Sequence, residues 1–555
     1  MEGKTGMYDV AEICRFHGVE AAVLCPGSRC APLTLAFTRT EGIRCLSVVD
    51  ERSAAFIALG MAETTGKPVV LVCTSGTAVL NFGPALAEAF YRRVPLVVLT
   101  ADRPQRLVGQ QDGQTMEQPG VYTNFIRAAY RLDGDIATDA ELAFLHRTVN
   151  AALIQAQGAA PGPVHINISF EEPLYRLAEQ ASPARCIRLL KTPAGIRSLL
   201  RSVPHSRWMV LVGSRKKSAV ENELLQRLGG SVPVLSEAVS NLWGEHTVPN
   251  ANEVMRTALP AEKESLAPEV LVTVGEGIVS KQLKIFLRAH KPKFHLHIDP
   301  AGELIDTYQS LTHVLAVPPS EAFEAIAEHT ATVADAAFLA GWKQSSQSTA
   351  GRVDALVAGM DFGDMRAMDF IARHIPPGVI VHVANSMPVR YLNLFSSLLP
   401  ADTEVFCNRG TSGIDGSIST AVGNGAGSGK PVWVITGDLS FQYDGNALWN
   451  GLVSADMRIL IVNNSGGGIF RLIEGPSSVP ELTERFEVRT QSSARHKAAQ
   501  YGLDYVAAAS APELEAAWTS FAAPGANARI LEIYTDPLVN ETVFKSFQQK
   551  LSITI

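Results

Sequence analysis

Short apolar runs recur along this chain, and most of them end in the same way. Cys45–Val49, Pro95–Thr100, Arg458–Val462 and the apolar centres of Gly66–Gly76 and Gly429–Asp438 are rich in Val, Leu and Ile, and each leads into Gly, Thr, Ser, Asp or Asn. Continuous apolar runs of this length predict strands buried on both faces, as in parallel sheets. Helical stretches separate them; the Ala-rich Arg52–Glu63 is the plainest. Strand, turn, helix and strand at this spacing predict βαβ units. Two stretches mirror each other, Gly66-Lys-Pro-Val-Val-Leu-Val-Cys-Thr-Ser-Gly76 and Gly429-Lys-Pro-Val-Trp-Val-Ile-Thr-Gly-Asp438, and each is followed by a helical stretch and a second apolar run.

Between these related thirds, Met209–Val212, Val232–Leu235, Val270–Val274 and Phe294–Ile298 predict the strands of another α/β domain. At 555 residues a single core is not expected. The expected class is α/β, with three domains of parallel sheets flanked by helices. Their expected bounds are 1–180, 187–332 and 345–555. Glu171–Pro183 and the Ala-, Ser- and Thr-rich Thr330–Ser348 are read as connections.

Composition narrows the function classes. The formal net charge is −7, from 48 basic and 55 acidic residues, which gives no footprint for nucleic acid. No apolar run approaches a membrane span, and no transmembrane segment is expected. The first residues do not read as a signal peptide. Seven scattered cysteines without a Cys-x-x-Cys pair suit a reducing compartment, so a cytoplasmic location is expected.

The densest chemistry lies at the strand ends. Gly437-Asp438-Leu439 is followed by 23 residues and then Asn463-Asn464. Both segments close apolar runs, so both should fall at the carboxyl ends of neighbouring parallel strands, where open α/β sheets bind ligands. A carboxylate, an amide oxygen and glycine-rich backbone there make a hard-oxygen set, suited to Mg²⁺ carrying a diphosphate. Read more plainly, Asp438 is an Asx-turn and the asparagines form a loop. Glu51 opens the Ala-rich helix just past a predicted strand. Taken alone it reads as a helix-start acid favoured by the macrodipole. Arg29, Arg103, Arg390 and Arg409 each lie past a predicted strand beside Gly, Ser or Pro. Arginines are commonly solvated surface, but guanidinium forks in this setting suit substrates with several carboxylates. Gly423–Lys430 imitates a phosphate-binding loop, yet Asn424 and Pro431 break the required pattern and a strand follows; it is read as a loop.

The Gly-Asp turn and the paired Asn one βα unit later resemble the signature of thiamine diphosphate (ThDP) enzymes, with Leu439 in place of the usual third glycine. Within that superfamily, Pro26-Gly-Ser-Arg29, Asp50-Glu-Arg-Ser-Ala-Ala-Phe56, Thr74-Ser-Gly-Thr-Ala78, Thr100-Ala-Asp-Arg-Pro104, Asn408-Arg-Gly-Thr-Ser-Gly-Ile-Asp-Gly416, Gly437-Asp-Leu-Ser-Phe441 and Asn463-Asn-Ser-Gly-Gly-Gly-Ile-Phe470 resemble the 2-succinyl-5-enolpyruvyl-6-hydroxy-3-cyclohexene-1-carboxylate (SEPHCHC) synthase family of menaquinone biosynthesis.

This resemblance implies a ThDP-binding fold in the first and third domains, pyrimidine-binding and diphosphate-binding respectively. It implies a transferase reaction, in which 2-oxoglutarate loses CO2 and its succinyl unit adds to isochorismate. Another ThDP carboligase or decarboxylase, of the acetolactate synthase type, is the alternative; a non-catalytic protein that kept the fold is a third reading. The implied cofactors are ThDP and Mg²⁺, for which Mn²⁺ can substitute. Asp438, Asn464 and Gly466 would hold the metal. Glu51 would act on the aminopyrimidine ring. Asn385, Ser386, Ile414, Gly437, Leu439, Ser440, Ile469 and Phe470 would complete the cofactor site, with Ile414 beneath it. Ser386, Arg390 and Arg409 would hold the succinyl carboxylate, Gln114 would contact the reacting centre, and Ser28, Arg29, Arg103 and Lys281 would line the isochorismate side. The family tends to show Lys-Arg where this chain has Lys281-Gln282. The resemblance further implies a homodimer or homotetramer, with each site shared between subunits.

Overall fold

The structure, a computed structural model, describes residues 6–177, 184, 186, 196–201, 203, 205–301, 303, 305, 307–308, 310–473 and 476–552. Three sheets organise these residues, and every strand pairing within them is parallel. The first holds β1 (Ala21–Leu24), β2 (Arg44–Ser47), β3 (Val69–Cys73), β4 (Leu96–Asp102), β5 (Ala128–Asp133) and β6 (Val164–Ser169), in the order β2-β1-β3-β4-β6-β5. The second holds β7 (Trp208–Val212), β8 (Val234–Leu235), β9 (Val270–Val274), β10 (Phe294–Ile298) and β11 (His313–Leu315), in the order β11-β10-β9-β7-β8. The third holds β12 (Ile380–Val383), β13 (Glu404–Phe406), β14 (Val432–Gly437), β15 (Arg458–Asn463), β16 (Asp504–Ala508) and β17 (Arg529–Tyr534), in the order β13-β12-β14-β15-β17-β16. Counted from its own first strand, the third sheet repeats the order of the first. The mirrored stretches of the sequence supply the same strand in each, β3 and β14.

Burial explains the apolar runs. All residues of β3, β4 and β9 are buried. In β7 the side chains alternate between two cores: Trp208, Val210 and Val212 face one, Met209 and Leu211 the other. That is the two-residue period of a strand covered by helices on both faces. Each such Val, Leu or Met contributes about 1.5–3 kcal/mol when fully buried.

By contact density the chain divides into two compact units. One comprises Met1–Lys191, Asn408–Gly429 and Tyr443–Ser454; the other comprises Thr192–Cys407, Lys430–Gln442 and Ala455–Ile555. The first sheet lies in the first unit, the second and third sheets in the other. Among the described residues no helix is long and apolar enough to cross a membrane.

Two sequence expectations change. The glycine-rich Gly423–Lys430 is not a loop: helix Ser417–Ser428 covers most of it. Its glycines serve a close crossing with helix Glu51–Thr65 in the first unit. A Cβ on Gly423 would meet the Ile57 carbonyl oxygen at 2.1 Å, and one on Gly60 would meet that of Thr420 at 2.0 Å. Asn424 Nδ2 reaches the Gly60 carbonyl at 3.0 Å across the same crossing. The Thr330–Ser348 connection is also helical, within Pro319–Val333 and Ala336–Ala358. Asp335 caps the second helix through Ala337 N and Phe338 N, and Phe338, Trp342, Thr349, Val353 and Val357 bury one stripe of it. Of the Glu171–Pro183 connection, residues 178–183 lie outside the described residues.

Candidate active site

Parallel pairing in register puts the carboxyl ends of β12, β14 and β15 side by side: Val383 pairs with Ile435, and Gly437 with Val462. Strand order reverses between β12 and β14, the switch point at which such sheets open a crevice. Asn385 and Ser386 follow β12, Gly437 ends β14, Asp438, Leu439 and Ser440 open helix Asp438–Tyr443, and Asn464 and Gly466 follow β15. These predicted residues therefore share one edge of the second unit. Ile469 and Phe470 open helix Ile469–Leu472 just beyond, with the Phe470 ring 5.9 Å from that of Phe486.

Asp438 is 3% exposed. Burial pushes its pKa up to about 7, the nearby Asp364 carboxylate adds to the rise, and hydrogen bonds from the backbone of Leu439, Asp438 and Gly466 oppose it. Its Oδ2 is buried without a hydrogen-bond partner, and so is Asn464 Oδ1. Unpaired buried oxygens carry a desolvation cost that a bound cation would offset. Gly466, with φ 145°, sits where a Cβ would meet the Glu487 carbonyl oxygen at 2.8 Å. Its own carbonyl accepts from Gly468 N at 3.0 Å, which leaves a second lone pair. Among the described residues no three His, Cys, Asp or Glu side chains cluster as metal ligands. The donors at this edge are one carboxylate, one amide oxygen and backbone carbonyls, a set that fits a hard divalent cation.

The two asparagines divide their work. Asn463, the last residue of β15, donates to Glu532 Oε1 at 2.7 Å and to the Ser492 carbonyl at 3.0 Å. Asn464 donates to Asp364 Oδ2 at 2.8 Å. Neighbouring residues at a strand end point to opposite faces, and only the second asparagine is left with an open oxygen.

Arg390 is exposed on helix Met387–Leu394 and donates to the Ser386 carbonyl, one turn back. Ser386 has φ 74°, a left-handed conformation uncommon for a non-glycine residue and worth noting at a site. Lys281 opens helix Lys281–Ala289 past β9 and is exposed. The turn before it is pinned by buried Glu237, whose carboxylate accepts from Val279 N at 2.6 Å and Ser280 N at 2.9 Å. Asn393 then ties that region to the Arg390 helix, through Ala238 N at 3.0 Å and Ser280 Oγ at 3.4 Å.

In the first unit the predicted residues again gather at carboxyl strand ends. Ser28 and Arg29 follow β1, Glu51 follows β2, and Arg103 follows β4. Glu51 is half-buried, one residue past Asp50, which caps the helix through Ser53 N at 2.9 Å. Burial raises the thiol pKa of Cys25 and Cys73, at the ends of β1 and β3, and the Glu51 charge adds to both. Glu51 thus lies by the switch point of this sheet, among apolar strand ends. Arg29 donates to the Phe170 carbonyl at 2.9 Å and pairs with Glu172 at 3.2 Å. Arg103 faces Asp112 at 3.5 Å. Gln114 donates to the Ser75 carbonyl at 2.5 Å, and Ser75 Oγ returns a bond to the Gln114 carbonyl at 2.9 Å.

Arg409 and Ile414 lie on the loop between β13 and helix Ser417–Ser428, and Ile414 is 38% exposed. Buried Glu88 grips this loop. Its Oε1 accepts from Gly410 N at 2.9 Å, and its Oε2 from Thr411 N at 2.8 Å and Thr411 Oγ1 at 2.6 Å. Arg92 lies against Glu63 and Glu88 and donates to Asn408 Oδ1 at 3.2 Å.

Sequence reasoning missed Asp364, Glu88, Glu237 and Asn393. Each reads as an ordinary helix-start acid, helix-interior polar residue or turn residue. The Phe-Gly-Asp of 362–364 at a helix start was the only faint signal.

Residues 4–121 match the family described as "Thiamine pyrophosphate enzyme, N-terminal TPP binding domain". Over nearly all of its length the chain is similar to curated 2-succinyl-5-enolpyruvyl-6-hydroxy-3-cyclohexene-1-carboxylate synthases. That of Cytophaga hutchinsonii is 38% identical, covering 98% of each chain. That of Flavobacterium johnsoniae is 36% identical, again over 98% of each. That of Desulfotalea psychrophila is 38% identical over 97% of this chain and 99% of the relative.

Proposed function

The chain belongs to the 2-succinyl-5-enolpyruvyl-6-hydroxy-3-cyclohexene-1-carboxylate synthase family, and we propose that it forms that compound and CO2 from 2-oxoglutarate and isochorismate, in menaquinone biosynthesis. ThDP, when bound, supplies the electron sink that decarboxylation of a 2-oxo acid needs. The chain's own residues do the rest. Asp438 Oδ2, Asn464 Oδ1 and the Gly466 carbonyl would hold Mg²⁺, or Mn²⁺ in its place. Glu51, just past β2, would act on the aminopyrimidine ring as the acid–base group that ThDP chemistry calls on. Asn385, Ser386, Gly437, Leu439, Ser440, Ile469 and Phe470 would contact the cofactor, and Ile414 would be the bulky residue that supports it.

Ser386, Arg390 and Arg409 bind the distal carboxylate of 2-oxoglutarate through charge-assisted hydrogen bonds. Ser28, Arg29, Arg103 and Lys281 take the isochorismate side, whose two carboxylates call for several cations, and Gln114 orients the reacting carbon. The observation that carries this reading is the pair of buried, unpartnered oxygens on Asp438 and Asn464 at the switch-point edge.

A homodimer or homotetramer is the proposed active unit, and the cytoplasm its compartment. The latter is supported by the lack of any disulfide among the described cysteines. Turnover with 2-oxoglutarate plus isochorismate, set against pyruvate alone, tests the reaction. Turnover of pyruvate only would replace it with an acetolactate-type reaction. Mixing inactive Glu51→Gln and Asp438→Ala subunits tests a shared site: activity returns if subunits exchange and each site draws on two chains.

A further inference from the structure

An asparagine ligates a hard cation only through its carbonyl oxygen, since the amide nitrogen offers donors alone. Turning the amide over exchanges the two atoms at little steric cost, so a neighbour must choose between them. At Asn464 the choice is made from one side. Nδ2 donates to Asp364 Oδ2 at 2.8 Å, and Oδ1 is buried with no hydrogen-bond partner. Asp364 is itself held rigidly at the start of helix Asp364–His374 and is 2% exposed. Its Oδ1 accepts from Thr535 Oγ1 at 2.6 Å and Asn540 Nδ2 at 2.8 Å, and its backbone N donates to Asn540 Oδ1 at 2.8 Å. Three side-chain donors converge on two oxygens, which keeps both in the acceptor role. In its ionised form a carboxylate so fixed accepts from Asn464 and has no proton to donate to it.

We propose that Asp364 is a positioning residue of the cation site: it holds the Asn464 amide with Oδ1 presented to the metal, without touching the metal or the substrates itself. The proposal rests on the cofactor reading above and assigns a role to a residue outside the Gly-Asp and Asn-Asn signature. Such outer partners of metal ligands commonly change metal affinity by about 10–100-fold when altered.

Asp364→Asn is isosteric and tests it directly. Its oxygen can keep Thr535 and Asn540, while its new NH2 faces the NH2 of Asn464. Two donors in contact force the Asn464 amide to turn over and present nitrogen to the cation. Titration of Mn²⁺ in the presence of ThDP, read from the paramagnetic resonance of free Mn²⁺ on the full-length protein, should show affinity about 10–100-fold weaker. The exchanged pair, Asp364→Asn with Asn464→Asp, reverses the sense of the hydrogen bond and again leaves one oxygen for the metal. Affinity should return to within about threefold of wild type, as expected if the lost contact is remade. A residue that only supports the fold would gain nothing from the change at position 464.

Wild-type affinity in Asp364→Asn overturns the proposal, and so does a loss that the exchanged pair fails to recover. If the single variant does not fold, the pair decides alone by the same criterion. Asp438→Ala, which removes a ligand outright, should lose Mn²⁺ binding. Absence of ThDP-dependent Mn²⁺ binding in the wild type would instead reject the cofactor reading, before any variant is compared.

Discussion

Replacing Glu88 with Gln should loosen the loop that carries Arg409 and leave the rest of its unit in place. The wild-type carboxylate accepts three hydrogen bonds from Gly410 and Thr411, two of them from backbone N–H groups. Burial raises the Glu88 pKa, and the bonds from Thr411 and Gly410 work against that rise. Gln at this position keeps one acceptor. Its best placement satisfies Thr411 and turns NH2 toward Gly410 N, so one charged hydrogen bond is lost and two donors oppose each other. A hydrogen bond to a charged group is worth about 1.5–3 kcal/mol and an unsatisfied buried donor costs about 1–3 kcal/mol. The wild-type Gly410 N–H is only partly buried, so a local loss of about 2–4 kcal/mol is expected. At 1.36 kcal/mol per tenfold, the amides of Gly410 and Thr411 should exchange hydrogen roughly 30- to 1,000-fold faster. Exchange followed by mass spectrometry on peptides covering 408–416 reads this directly. Thr411→Val removes one hydrogen bond to the carboxylate and leaves both backbone donors paired, so exchange should accelerate less, by roughly tenfold, or about 1.5 kcal/mol. Because Arg409 rides on this loop, KM for 2-oxoglutarate should rise in Glu88→Gln. A change below about threefold in these peptides, or an equal change across the whole unit, would refute the clamp.

Glu51→Gln should retain ThDP and lose turnover by about 10²–10⁴-fold, since Gln hydrogen-bonds but cannot exchange the proton; unaltered exchange of the cofactor C2 proton would reduce Glu51 to a helix-start residue. Arg390→Ala and Arg409→Ala should each lower kcat/KM for 2-oxoglutarate by roughly 10–100-fold and that for isochorismate less, with equal losses counting against a carboxylate clamp. His165 is buried beside Thr100, which lowers its pKa to about 4 from 6.5. Protonation therefore favours the unfolded chain, and the stability this group contributes is complete above pH 6.5 and lost as pH falls to about 4. The loss is about 3 kcal/mol. Thermal midpoints across that window should fall more steeply for wild type than for His165→Gln, and parallel curves would contradict the assignment.

Much of the fold was legible because parallel sheets leave a strong mark. Strands covered on both faces must be apolar throughout, so β3, β4, β9, β14 and β15 stand out as runs closed by small polar residues. The same logic failed where one signal has two physical causes. Glycines loosen a chain in a loop, but they also let two helices cross closely. In Gly423–Lys430 the second cause holds, and only the partner helix, with Gly60 facing it, reveals this. Likewise β11, three residues long, has too little pattern to be seen, and β8 shrinks to Val234–Leu235.

In the candidate site, the legible residues are those whose relation is fixed by short stretches of chain. Asp438 and Asn464 are one βα unit apart, and parallel pairing turns that spacing into adjacency at one sheet edge. The residues that hold them or their neighbours ready are joined by tertiary closure alone. Asp364 is 100 residues from Asn464, and Glu88 is 322 from Gly410. Spacings of that length have no fixed consequence for distance, so no reading of one chain could pair them. Nor could it show why two asparagines stand in a row. With Asn463 committed to Glu532, and Asn464 held by Asp364 with its oxygen open, the doublet is two different devices on opposite faces of one strand end. The motif names the donor atoms, and the buried carboxylate at position 364 decides which atom of Asn464 is presented.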